Sequence, residues 1–211
     1  MEGVFPEVAF RIFGIPVRDT VVSTWVVMMV TVGLAALFRD TMPIALEMVI
    51  DFFRDTIRDV MGDRPVERFI PFLGALGIFI AISNIIGVVP LVETPTKDIN
   101  TPLALALVVF FAVHVFGVLE KGWLGYFKEF LSPLIILDII GQMSRTMSLT
   151  LRLFGNIISS EIIVAVIFSL VQPIAPLPMI GLSMFTGVLQ AYIFVVLATG
   201  YIAAAVREEA L

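Results

Sequence analysis

Two apolar stretches near the end of the chain limit its possible folds more than any other feature of the sequence. As single helices, residues 134–172 would measure about 58 Å and residues 178–206 about 43 Å, at about 1.5 Å per residue. The hydrocarbon core of a bilayer is only about 30 Å thick. Helices this long must break, leave the membrane or lie strongly tilted. The joint between them, QPIAPLP, is a proline-rich turn without a charge. The expected arrangement is a steeply inclined antiparallel hairpin.

Three shorter apolar runs, 21–38, 69–91 and 103–119, also suit a crossing. With hydrophobic residues at 59% and charged ones at 15%, the predicted class is an all-α polytopic membrane protein with about five embedded helices in one domain, 1–211. Residues 1–20 are short, mixed and turn-prone. They lack the basic-then-apolar pattern of a cleavable signal and are expected to stay on the mature protein. Residues 41–62 differ from the spans. Leu46, Val49, Phe53, Ile57 and Val60 face one way, and Glu47, Asp51, Arg54, Asp55 and Arg58 the other. This segment is too polar to cross, so it is predicted to be an interfacial amphipathic helix, packed on its own chain or docking a partner. Thr41 is the expected N-cap with Pro43 in the first turn, and Thr101 with Pro102 play the same parts before the third span. Glu120, Lys121 and Gly122 should close that span, with Trp123, Tyr126 and Phe127 as an aromatic belt at the interface.

Several classes are excluded. A net charge of −5 without a basic cluster argues against nucleic acid. The absence of cysteine removes thiolate chemistry, and a single histidine makes a metal site unexpected. No cofactor is implied. Lys and Arg counts set the orientation: Arg39, Arg54, Arg58, Arg64, Arg68, Lys121, Lys128 and Arg207 fall on one side. Arg11, Arg18 and Lys97 fall on the other. The positive-inside rule then puts the N-terminus outside and the C-terminus in the cytoplasm.

The chemistry centres on residues 144–161, SRTMSLTLRLFGNIISSE. Asp138, Arg145, Arg152 and Ser159 are spaced by seven and so lie almost on one line of a helix, with Gln142, Ser148 and Asn156 beside it. A guanidinium at mid-membrane costs roughly 3 kcal/mol and needs a partner or a water-filled path. Nothing close in sequence neutralises Arg152. Glu161, nine residues on, points nearly the opposite way, too far for an intrahelical pair. Ser183, Thr186 and Gln190 make a second polar line on the last helix, with Tyr201 near it. Such groups either join helices or line an ion path. The same two readings apply to Asn84 in the second span and to His114 in the third.

SLTLRLFGNIISSE followed by LQAYIFVVLATGYIAAA resembles the a subunit of the F-type ATP synthase membrane sector. PTKDINTPLALAL and KGWLGYFKE extend the likeness over most of the chain after about residue 65. The resemblance implies a non-catalytic stator that passes H+ or Na+ through two offset half-channels to carboxylates on a ring of c subunits. It implies further partners in peripheral-stalk b subunits and the catalytic head, within the lipid of the cell inner membrane. Arg152 matches the family's essential arginine, which prevents an ion short-circuit. Asn156 and Gln190 match polar residues around it, and Glu161 an acid of the outer half-channel. Some bacterial members place a histidine seven residues before the LQA glutamine. Ser183 stands there in this chain. Arg145 matches a position that is often basic and is expected to line the cytoplasmic path, and Ser148, Ser183, Thr186, His114 and Asn84 are further lining candidates. The alternatives are a stand-alone secondary transporter using Arg152 to bind an anion, and an intramembrane enzyme, which would need a nucleophile–base pair.

Overall fold

The computed structural model describes residues 8–12, 15–62, 64–88, 92–130, 135–170 and 176–206. The expected positions Gln172 and Arg207, and most of the proline-rich turn, lie outside these residues. The chain is all-α apart from a short hairpin in the segment read as turn-prone. There β1 (Val8–Ile12) pairs antiparallel with β2 (Ile15–Arg18). Helix α1 (Asp19–Thr41) follows directly.

Helix α2 (Pro43–Met61) lays Phe53, Thr56, Ile57 and Met61 inward. On its outer side Arg54 pairs with Asp51. Its N-cap is Met42, not Thr41, because α1 runs on through Thr41 and leaves only one residue for the corner. Pro43 takes the first helical position, where its missing N–H is harmless.

Helix α3 (Ile70–Ile85) packs its small residues against other helices. A Cβ on Gly77 would lie 2.6 Å from the Phe53 ring and 2.8 Å from Val195. Small residues allow this close approach where lipid gives helices no hydrophobic drive to associate. After α3 the chain folds inward through a 3-10 turn at Pro95–Lys97, all three residues of which are buried.

Helix α4 (Asn100–Phe130) is capped by Asp98 rather than Thr101. The Asp98 carboxylate accepts from the Asn100 amide at 3.1 Å. The helix bends at Gly122, where φ is 72° and ψ 161°, a conformation glycine reaches without a Cβ penalty. The following turns fold back so that Tyr126 covers Gly117. Glu120–Gly122 thus ends the straight part of the helix, as expected.

Helices α5 (Ile135–Leu170) and α6 (Leu177–Val206) form the hairpin. The 36 residues of α5 are unbroken, about 54 Å at about 1.5 Å per residue. Of the three ways to fit a bilayer, breaking is removed. Phe194, Val195, Ala198 and Ile202 of α6 are fully buried at the centre of the core, against α2, α3 and α4. Among the described residues five helices, α1, α3, α4, α5 and α6, are long and apolar enough to cross a membrane.

Candidate functional site

Leu149, Leu153 and Ile157 bury one face of α5 against the rest of the chain. Much of the rest of its circumference is exposed and carries Asp138, Ser144, Arg145, Ser148, Arg152 and Ser159 amid Met143, Met147 and Leu151. Arg152 therefore opens to the outside of the fold, while Asp138 and Arg145 on the same line border cavities toward α4 and α6. Among the described residues Arg152 has neither a hydrogen-bond acceptor nor an ion-pair partner.

Cavities open on both sides of Arg152 along the helix. On one side a cavity of about 210 Å³ is lined by Asp138, Gln142, Arg145 and Tyr201. The Arg145 guanidinium lies 5.3 Å from the centre of the Tyr201 ring, within cation–π range. An adjoining crevice of about 20 Å³ reaches His114, room for a single water. His114 Nδ1 sits 2.7 Å from the Phe110 carbonyl, one turn back on its own helix.

On the other side are two neighbouring cavities that share Ser160 and Ser183. One, about 310 Å³, is lined by Asn156, Ser159 and Thr186 as well. The other, about 400 Å³, is lined by Glu161, Asn84, Glu93 and Thr94. Asn84 is fully engaged there. Its Nδ2 donates to the Gly187 carbonyl at 2.9 Å, and its Oδ1 accepts from Thr96 at 2.8 Å. The Thr186 hydroxyl is used within its own helix, on Leu182 and Ser183 carbonyls.

These linings reveal the register of the hairpin. Asn156 meets Thr186, Ser160 meets Ser183, and Gln142 meets Tyr201. The same antiparallel register sets Gln190 level with Arg152. Gln190 is buried, and among the described residues its Nε2 and the Asn156 Nδ2 have no acceptor. Ser148 stays on the exposed face and lines none of the cavities described.

Sequence reasoning missed the loop. Lys97 counts as an outer-side surface charge in the orientation tally, yet its side chain is buried and paired with Glu93. Thr94 lines the same cavity as Glu161, and the turn that carries Lys97 packs against α5. The signal was present as an acid and a base four residues apart. Asp98 is buried as well, bonded to Arg18 at 2.8 Å and Thr20 at 3.3 Å. Burial pushes its carboxyl up, but the Arg18 guanidinium, the Asn100 amide and the Thr20 hydroxyl outweigh this and hold it below its ordinary value.

The family described as ATP synthase A chain matches residues 20–203. A Bradyrhizobium protein named ATP synthase subunit a 2 is 43% identical over 95% of this chain and 94% of its own length. ATP synthase subunit a 1 of Hahella chejuensis is 38% identical over 98% of this chain and 92% of the relative. ATP synthase subunit a of Legionella pneumophila is 34% identical over 100% of this chain and 96% of the relative. Matched nearly end to end, and built of the apolar helices of a multi-pass membrane protein, the chain belongs to the ATP synthase subunit a family.

Proposed function

We propose that this chain is the stator subunit in the membrane sector of a rotary ATP synthase. It carries H+ or Na+ through two offset half-channels to and from carboxylates on a c-subunit ring. The observation that supports this most is the outward, unpaired Arg152 between two sets of cavities. Facing lipid, such a charge would cost about 3 kcal/mol or more. Facing a passing carboxylate, it is neutralised and useful.

The cavities around Glu161 and Asn156 form the outer half-channel in this reading, and the one around Asp138 and Arg145 the cytoplasmic one. A ring carboxylate that reaches Arg152 is stabilised in its ionised form by the opposite charge, so it passes only after giving up its ion. The amide nitrogens of Asn156 and Gln190, buried without an acceptor, would have to turn outward to donate to the same carboxylate. A free cation meets a like charge at Arg152 and does not leak across. The chain itself breaks no bonds, and the distant head performs the catalysis. The N-terminus lies outside and the C-terminus in the cytoplasm, in the cell inner membrane, with peripheral-stalk b subunits as further partners. A transporter binding an anion at Arg152 would turn that residue into its own core, and here it points out.

The test is ATP-driven ion pumping in membrane vesicles with Arg152→Ala. Pumping should fall to background with the complex assembled and passive leak unchanged or raised. Wild-type pumping by the variant would overturn the assignment.

A further inference from the structure

The loop before α4 holds a charge that the reading above leaves unused. Lys97 is 1% exposed and heads the fully buried side chains by volume. A buried ammonium persists only when paired. Its Nζ donates to the Glu93 carboxylate, which is 39% exposed at the edge of the fold. The turn that carries Lys97 packs against α5, the helix of Glu161, and against α1, which Asp19 opens. Glu93 and Glu161 line one cavity of about 400 Å³, with Thr94 and Ser183 beside them. One ammonium therefore adjoins a cavity with two carboxylates, an outer one and a deep one.

We propose that Glu93 and Lys97 are a further part of the outer ion path, in which Glu93 gathers cations at the mouth and Lys97 is a positioning residue that limits how firmly Glu161 holds them. This rests on the stator reading. With Glu93 and Glu161 on its wall and Lys97 behind Glu93, the cavity is lined by more negative than positive side chains and attracts cations. A conducting site must bind well enough to fill and weakly enough to empty. Glu93 serves the first need and Lys97 the second.

The two charges make opposite predictions. The intact complex is reconstituted in liposomes with its catalytic head outward. ATP synthesis at a fixed potential is then measured against lumenal pH and, separately, lumenal Na+. In Glu93→Gln the half-saturating cation concentration should rise about tenfold, and in Lys97→Met it should fall about tenfold with a lower maximal rate, the scale of a nearby opposite charge. Lys97→Arg should keep the wild-type midpoint. Unchanged midpoints, or shifts of one sign in both variants, would overturn the proposal. If Lys97→Met does not assemble, Glu93→Gln decides alone, since its side chain is partly exposed. Arg152→Ala serves as the control. If it still makes ATP, the stator reading fails. If it is dead while Glu93→Gln keeps the wild-type midpoint, only this proposal fails.

Discussion

Asn84 holds three segments together with one side chain. It ties α3 to the Gly187 carbonyl of α6 and to Thr96 in the inward loop, and Gly187 lets the two backbones come close enough for it. Asn84→Leu keeps the size and removes both bonds. Hydrogen bonds between membrane helices are worth about 0.6 kcal/mol on average and up to about 1.7. The variant should lower the temperature at which the purified complex loses this subunit, and Asn84→Gln should not restore it, because the longer chain cannot reach both partners. At this scale the sequence is readable where charge interrupts an apolar run, as at Arg152 and Glu161. At Lys97 it hints at the pairing with Glu93 through their spacing but not at the burial, which depends on a loop folding back against α5. Asp98 is a similar case, since its partner Arg18 is 80 positions away.

Among the elements, α2 was legible as an amphipathic helix: Phe53 and Ile57 of the expected apolar face are buried, although Val49 of the same set is exposed. What it packs on was not legible. Phe53 sits against Gly74 and Gly77 of α3, and glycines leave no trace in a hydropathy profile. Gly77→Ala should destabilise the subunit by about 1–3 kcal/mol, the usual range for overpacking, seen as reduced accumulation in membranes. Phe53→Ala in the same chain should restore part of it. The rescue should stay partial because Val195 remains 2.8 Å from the new methyl. The helix caps were misread for the same local reason. Met42 and Asp98 displaced Thr41 and Thr101 once the neighbouring elements had claimed the corners.

For the whole molecule, Asp98 joins α1 and the hairpin to the loop that carries Lys97. Its carboxyl is held below the ordinary 3.8 in the folded protein. A depressed carboxyl contributes stability that is complete above the unfolded value and is lost as pH falls through the folded one. Acidification below 3.8 should therefore loosen the N-terminal hairpin first, read as faster amide exchange in β2 and the start of α1. Arg18→Ala should weaken the clamp already at neutral pH.

The two sets of cavities have an electrical consequence. On the proposed stator reading, each set is a water-filled half-channel at the potential of its own compartment, and only the stretch of α5 between Arg145 and Asn156 separates them. That stretch is about 17 Å along the helix at about 1.5 Å per residue, and tilt makes it shorter along the normal of a bilayer core about 30 Å thick. The whole membrane voltage then falls across it, about 2.3 kcal/mol per charge for each 100 mV. The field at Arg152 is nearly twice that of the surrounding lipid.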